Sequence, residues 1–379
     1  MRNSGGSGTG ATSASAATQL SRLPVKLRPT VAIVVLDPGF ETLDKDSRES
    51  LPAIRRSESH FIAANIRDRL REEPEIWHAA HVVPDRSGIN DVIVSGQIRH
   101  SDGEKLSVNV SVEDITGAHW FTRTYTEEVP DWHYDDPLSR NSDPFAKVYD
   151  RIADDMRAYL ARLQSAQISE IKNVSEIRFA ERFVPEVYGD YLTVENGQYN
   201  VTRLPAEGDP VIERVREIRK RDRLFHDRLQ VNYDQFNARL NNPYSRWRHE
   251  SYVQQQELKK KKSEAVTRGV LGALAVVGGV LAQGSSSSAA RTAGVIGIGA
   301  GGLAVASGFQ KNAEAKIHEA QLQQLAETLD STVAPQTIEL HEETFQITGT
   351  VEEQYQQWQE LMGQIYQVEQ GAASDPVTL

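Results

Sequence analysis

The chain has 379 residues, of which 39% are hydrophobic and 25% charged, with a net charge of -11 and no cysteine. This length allows two or three domains with a sizeable core. The negative charge argues against a general nucleic-acid binder, which needs clustered lysine and arginine, and the lack of cysteine excludes disulfides, thiolate metal sites and a cysteine nucleophile.

Residues 1–29 are rich in glycine, serine, threonine and alanine, which predicts a disordered tether. They contain no apolar stretch of the length that a secretory signal needs. The tether resembles the linker that follows the lipidated cysteine of bacterial lipoproteins, although neither that cysteine nor its signal is in this sequence.

Residues 30–164 have the pattern of an α/β domain. The apolar run at 31–36 predicts a buried strand, because Asp-Pro-Gly closes it with a turn. Apolar and polar residues alternate over 106–112, which predicts a half-buried strand that turns at 114–117 into a hairpin partner. The other predicted elements are strands at 76–83 and 91–98 and helices at 57–72 and 145–163.

Three stretches of this domain carry a family resemblance: the strand residues 33–36, the sequence Val-Ser-Gly-Gln-Ile at 94–98 and the hairpin at 112–117. With the order of elements around them, they resemble the amino-terminal domain of the translocation protein TolB, the periplasmic domain of the curli secretion channel and the lipoproteins that activate penicillin-binding proteins. The resemblance implies an anticodon-binding-like α/β sandwich in the bacterial envelope that works through protein contacts or ring assembly.

The next two segments predict a connection and a helical stem. Residues 165–209 predict one or two short helices with turns at 196–198 and 205–210. A long helix begins at 210, where proline is well placed, and Asn-Asn-Pro at 241–243 stops or kinks it. A second helix at 245–262 completes a stem that spans 210–264.

Residues 265–310 contain only two charges and predict a helical hairpin, with a serine-rich turn between the apolar arms 270–281 and 293–309. Glycine and alanine recur four residues apart, as in a glycine zipper, which lets a partner backbone approach closely. The arms are shorter than the about 20 apolar residues that cross a bilayer. Burial inside protein and a flexible apolar linker are therefore the alternatives to membrane contact. The small residues predicted to contact membrane or another copy are Ala275, Gly279, Ala293, Gly297, Gly301, Ala304 and Gly308.

Four consecutive lysines precede the first arm: Lys259, Lys260, Lys261 and Lys262. Beside an apolar segment they predict attraction to anionic headgroups, at about 1 kcal/mol each near a membrane surface. A solvated face of the stem is the alternative interpretation. Residues 311–334 predict an acidic helix that returns beside this basic stem.

The carboxyl-terminal segments predict a small strand and helix unit followed by a tail. Residues 335–370 contain one or two short strands and an amphipathic helix that docks on the protein. Residues 371–379 predict a disordered tail. Catalytic motifs are absent from the sequence, and His78 and His81 fall in a predicted strand where their rings would point to opposite faces and could not share a metal. We therefore predict a protein that is not an enzyme and that holds no cofactor and no metal.

The predicted fold class is α+β: an anticodon-binding-like sandwich, a long helical hairpin with a glycine-rich apolar tip, and a small strand and helix element. The predicted function is scaffolding or assembly in the bacterial periplasm, at the outer membrane. Membrane, further copies of the chain and other envelope proteins are the expected partners, and nucleic acid is not. One alternative is a pore-forming protein whose hairpins insert into a membrane. Another is a cytoplasmic protein attached to the inner membrane, because the lysine run, Arg268, Lys311 and Lys316 share one end of the hairpin.

Overall fold

The computed structural model describes Leu20 and residues 23–42, 52–130, 132–136, 138–139, 142–267, 324, 336–340 and 343–374. Its strands are β1 Thr30–Val34, β2 Ala79–Val83, β3 Val92–Ser101, β4 Lys105–Asp114, β5 His119–Glu128, β6 Leu192–Glu195, β7 Gln198–Val201, β8 Gln336–Leu340 and β9 Glu343–Ile347. Its α-helices are α1 Pro52–Arg71, α2 Ala146–Leu160, α3 Ser165–Glu181, α4 Pro185–Tyr188, α5 Pro210–Thr267 and α6 Val351–Ser374. Single turns of 3-10 helix occur at Val25–Leu27, Phe40–Thr42 and Gly189–Tyr191.

Five strands form a mixed sheet in the order β2-β1-β3-β4-β5. β1 runs parallel to both of its neighbours, β2 and β3, whereas β3, β4 and β5 pair antiparallel. Four of the five residues of β1 are buried, which fits an uninterrupted apolar strand in the interior of a sheet. The helices together with this mixed sheet confirm the α+β character of the fold.

Helices α1 and α2 contact each other and cover one face of the sheet. Tyr125 of β5 points to this face, because its hydroxyl donates to Asp155 of α2 at 2.7 Å. The apolar residues of β4 lie on the same face and are buried: Leu106, Val108, Val110 and Val112. On the other face, Asn109 and Ser111 form exposed hydrogen bonds to threonines of β5. The alternation seen in the sequence of β4 therefore separates an apolar face from a polar one.

The connecting segment is more ordered in structure than its sequence predicted. It contains the 17-residue helix α3, where one or two short helices were predicted, and the strands β6 and β7 around the predicted turn at 196–198. These two strands were not predicted. Asn196 and Gly197 have φ values of 53° and 81°, so they form the tight hairpin turn for which an Asn-Gly pair is suited. This turn packs on the predicted and confirmed β4–β5 turn, where the Tyr199 N–H donates to the Thr116 carbonyl at 2.7 Å.

Helix α5 corrects the predicted break at 241–243, because it runs unbroken for 58 residues with Pro243 inside it. The rise of 1.5 Å per residue makes it about 87 Å long. Proline removes one helical hydrogen bond, but burial on both sides of it holds the helix together. Phe236, Leu240, Tyr244 and Trp247 flank Pro243 and form a separate apolar cluster with two residues of α1, Ile54 and Phe61.

The free edge of the sheet at β2 is covered by α5. The Gln230 side chain accepts a hydrogen bond from the Val82 N–H at 2.8 Å and donates one to the Val82 carbonyl at 3.0 Å. One amide side chain thus takes the place of a neighbouring strand. It satisfies two backbone groups that an uncovered edge would leave open to other chains.

The docking predicted for the last helix is confirmed. The Trp358 indole of α6 donates to Asp222 of α5 at 2.9 Å and stacks on Phe225, with ring centroids 4.6 Å apart. One or two short strands were predicted before it, and the structure has two, β8 and β9, which pair antiparallel. Helix α6 continues to Ser374, so residues 371–374 are helical where a disordered tail was predicted.

The folded unit begins before Thr30, where the predicted tether was to end. Leu20 is buried, and Arg28 donates to the Pro74 carbonyl at 2.9 Å. The predicted apolar arms 270–281 and 293–309, and with them all seven small residues of the predicted contact surface, lie outside the described residues. The predicted returning helix 311–334 lies outside them too, apart from residue 324, which is helical.

Candidate functional site: a basic cleft beside the long helix

The lysine run predicted to contact headgroups lies in the last turns of α5. Lys259 forms an ion pair with Glu104, which lies in the turn between β3 and β4. This contact raises the pKa of Lys259, and the side chain stays 59% exposed. Because Glu104 is its partner, the ammonium group of Lys259 is held against the α/β unit.

A second concentration of positive charge lines a cleft of about 980 Å³ between the Val25–Leu27 turn, α3 and the first half of α5. Its cationic side chains are Lys26, Lys172, Arg216, Arg219, Lys220 and Arg223. Glu176 is the one carboxylate among its lining residues. The cleft is therefore strongly basic, in a protein whose net charge is -11. We call it the basic cleft.

Helical spacing places four of these cations together. Arg219, Lys220 and Arg223 lie three, four and seven residues after Arg216 along α5, so the four side chains share one face of the helix. The helix was predicted from the spacing of its apolar residues, and the basic stripe was missed. The spacing of arginine and lysine was the signal that could have revealed it.

The floor of the basic cleft is a buried ion-pair network around Asp91, which we call the Asp91 network. Asp91 is fully buried, and its carboxylate accepts hydrogen bonds from the Thr30 N–H at 2.7 Å and the Thr30 hydroxyl at 2.9 Å. Lys172 of α3 contacts the same carboxylate at 2.7 Å, and Arg219 of α5 lies 3.9 Å from it. Burial alone would raise the pKa of Asp91, but these cations and the Thr30 N–H outweigh burial and lower it to about 2.

Arg219 and Arg216 are held in place by neighbours on α3. The Arg219 guanidinium donates to the Ser175 hydroxyl at 2.5 Å and lies over the Phe179 ring, 5.1 Å from its centroid. Burial, with Arg223 nearby, lowers the pKa of Arg219. Arg216 forms ion pairs at 2.6 Å with Glu176 and at 2.5 Å with Glu213. The positions of these two arginines are therefore fixed before any ligand arrives.

Lys26 and Arg223 differ from the other cations of the basic cleft. Within the described part of the chain, neither side chain forms an ion pair or a hydrogen bond. His78 lies beside them, and its pKa is lowered by partial burial and by the positive charges of Arg223 and Lys172. The pKa of this histidine therefore responds to the charge of the basic cleft.

A smaller cleft of about 500 Å³ adjoins the basic cleft and shares His78 and Arg223 with it. His81 lies in its wall, with Nε2 2.8 Å from an Asp227 carboxylate oxygen. Burial lowers the pKa of His81, although the hydrogen bond that its ring forms to the Asp227 carboxylate acts in the opposite direction. Within the described residues, no group of three or more histidine, aspartate and glutamate side chains is placed to hold a metal ion.

Comparisons of the chain with protein-family models, with curated proteins and with solved structures found no match. The resemblance to the small envelope domains therefore stays a prediction. In the described part of the chain, none of the helices combines the length and the apolar character that crossing a membrane requires.

Proposed function

We propose that this protein is a non-enzymatic scaffold of the bacterial envelope, in which α5 holds the glycine-rich segment 265–310 at a fixed distance from an α/β docking domain. The observation that carries the proposal is the unbroken course of α5 from Pro210 to Thr267, which leads directly into that segment. The anticodon-binding-like arrangement of residues 30–164 belongs to this proposal, as does the helical hairpin with its apolar tip.

The support for a rigid connection comes from contacts along most of α5. Near its start, Ile212, Val215 and Ile218 are buried in the main core. In its second half, the Tyr244 hydroxyl donates to the buried Glu58 of α1 at 2.7 Å, and Arg248 pairs with Asp143 at 2.7 Å. Because α5 is fixed to the α/β unit at both of these places, the part of the helix between them cannot bend freely.

The far end of α5 supports contact with a membrane or with further copies of the chain. The helix carries the lysine run 259–262 immediately before a segment rich in glycine and alanine. Small residues four apart allow close helix packing, and lysines beside an apolar segment favour anionic headgroups. We place the protein in the periplasm at the outer membrane, with other envelope proteins as partners of the α/β domain.

The test uses the full chain and two double variants. In sedimentation equilibrium we expect the wild type to self-associate and Gly297→Leu/Gly301→Leu to self-associate at least about tenfold more weakly, because leucine keeps the helix backbones apart. In vesicle pelleting with phosphatidylglycerol, we expect both proteins to bind, since leucine is more apolar than glycine.

The control is Gly189→Leu/Gly363→Leu, because a Cβ atom at either of these glycines meets no atom within 4 Å. It should behave like the wild type in both measurements. A wild-type protein that stays monomeric and does not pellet with vesicles would overturn the proposed function. Equal weakening of self-association in the control and in Gly297→Leu/Gly301→Leu would overturn the role of the small residues.

A further inference from the structure

We propose that the basic cleft binds a compact anion that carries phosphate groups. This inference concerns the folded α/β and α5 unit, and it does not depend on the glycine-rich segment. Three parts of the chain that are distant in sequence, the Val25–Leu27 turn, α3 and α5, each contribute at least one cation to the same concave surface. Cations gathered in a cleft with low-dielectric walls attract anions more strongly than the same charges spread over a surface.

A count of charges shows that cations outnumber their carboxylate partners in the basic cleft, among the described residues. Six cations line it, and four carboxylates contact them: Asp91, Glu176, Glu213 and Glu217. Six minus four leaves two positive charges, and Lys26 and Arg223 are the two side chains without a carboxylate partner among the described residues. A structural salt-bridge network would not need these two. A ligand with two or more negative charges would neutralise both.

The chemistry of the side chains favours phosphate over a single carboxylate. Arginine presents several N–H donors in a planar fork that matches the oxygens of phosphate, and lysine adds a point charge. Arg219 is already oriented by Ser175 and Phe179, so less side-chain entropy is lost when an anion binds. Lys172 and Arg219 are only 20% and 13% exposed at the floor, which a compact ligand can reach and a flat bilayer cannot.

The position of His78 offers a direct measurement of binding. Its pKa is lowered by burial and by the positive charges of Arg223 and Lys172. An anion in the basic cleft would offset those charges and raise the pKa of His78. The pKa can be followed by NMR in the presence and absence of inorganic pyrophosphate, with the His78→Gln variant identifying the resonance.

The variants test which cation matters. Arg223→Gln removes one of the two unmatched charges, and we expect it to weaken pyrophosphate binding in calorimetry by at least about tenfold. It should not unfold the protein, because the side chain forms no ion pair with the described residues. Arg228→Gln makes the same change on an exposed position of the same helix, outside the cleft, and should change binding by less than about twofold.

Several results would overturn the proposal. One is an unchanged pKa of His78 with no heat of binding at millimolar pyrophosphate. Another is equal weakening by Arg228→Gln and Arg223→Gln, which would indicate attraction to the overall charge only. Binding to phosphatidylglycerol vesicles that Arg223→Gln abolishes, without pyrophosphate binding, would assign the cleft to lipid headgroups and would contradict a soluble ligand.

The outcome is distinguishable from that of the proposed scaffold function. Pyrophosphate binding should be unchanged in Gly297→Leu/Gly301→Leu, because the cations of the basic cleft belong to the Val25–Leu27 turn, α3 and α5. Self-association should likewise be unchanged in Arg223→Gln. Either proposal can therefore fail while the other stands.

Discussion

Four separate parts of the fold converge on Asp91. Its carboxylate contacts Thr30 at the start of β1, Lys172 of α3 and Arg219 of α5, and its carbonyl accepts from the Ile115 N–H at 2.9 Å. A fully buried carboxylate is tolerated because two cations and a hydroxyl surround it. One side chain thereby joins the strand β1 to the two helices that form the basic cleft.

Replacing Asp91 by asparagine should therefore destabilise the protein strongly. Asp91→Asn leaves Lys172 and Arg219 without their carboxylate partner, and loss of one partner from a buried ion pair costs about 3–5 kcal/mol. Urea denaturation would measure this loss. Asp190→Asn, on an exposed side chain, is the matched control and should change the free energy of unfolding by less than about 0.5 kcal/mol. A loss in Asp91→Asn no larger than in the control would contradict the network.

His60 makes the stability of the protein depend on pH. It packs between Tyr233 and Phe236 of α5, with ring centroids 5.9 and 6.0 Å away, and its buried Nδ1 atom has no hydrogen-bond partner among the described residues. Burial lowers the pKa of His60 to about 4, below its value of 6.5 in the unfolded chain. The unfolded chain therefore binds the proton first as the pH falls.

The stabilisation by neutral His60 is fully present above pH 6.5 and is lost as the pH falls from there toward the folded pKa of about 4. The expected loss is on the order of 2–3 kcal/mol between pH 7 and pH 4. His60→Phe should reduce this pH dependence in urea denaturation, whereas His119→Phe, at an exposed histidine, should not. The same slope in wild type and His60→Phe would show that other groups cause it.

At the scale of elements, α5 shows that a proline need not end a helix. Pro243 lies between Leu240 and Tyr244, which are both buried against α1. Burial of several large side chains offsets the loss of one backbone hydrogen bond, because each buried side chain of this size contributes about 1.5–3 kcal/mol. Tertiary packing, which is not visible in the local sequence, therefore decides whether the helix continues.

The cost of this proline can be measured by replacing it. Pro243→Ala should raise the free energy of unfolding by about 1–3 kcal/mol. A proline inside a helix destabilises the folded state by about 3 kcal/mol, whereas its restriction of the unfolded chain stabilises the protein by about 1 kcal/mol. Pro210→Ala makes the same change at the first residue of α5, where proline fits the helix, and should not stabilise the protein. Equal effects of the two substitutions on urea denaturation would show that Pro243 carries no special cost.

At the scale of the whole molecule, α5 connects the two proposed activities. It covers the free edge of the sheet through Gln230, forms one wall of the basic cleft, and ends in the lysine run before the apolar segment. The overall negative charge gives no hint of this arrangement, because it averages over surfaces that differ in sign. Charge matters for binding where it is concentrated, so a basic cleft can form on a protein whose net charge is negative.

Much of the fold could be predicted from the sequence, and the candidate site could not. The strands of the sheet, the β4–β5 hairpin and the docking of α6 follow from the spacing of apolar residues, which neighbours within a few positions determine. The Asn-Gly turn at 196–198 was predicted at this range, but the strands β6 and β7 on either side of it were missed. The basic cleft needed Lys26, Lys172 and Arg223 to meet, and no local pattern brings them together.

The sequence by itself determined that this is an α+β protein with a charged, cysteine-free composition and a glycine-rich apolar segment, because these properties depend on composition and short-range periodicity alone. The tertiary structure decided that α5 continues past Pro243 and that Lys172 meets Asp91 across 81 positions of the chain. Contacts over such separations depend on how whole elements pack, and the free energy of that packing is shared among residues throughout the core.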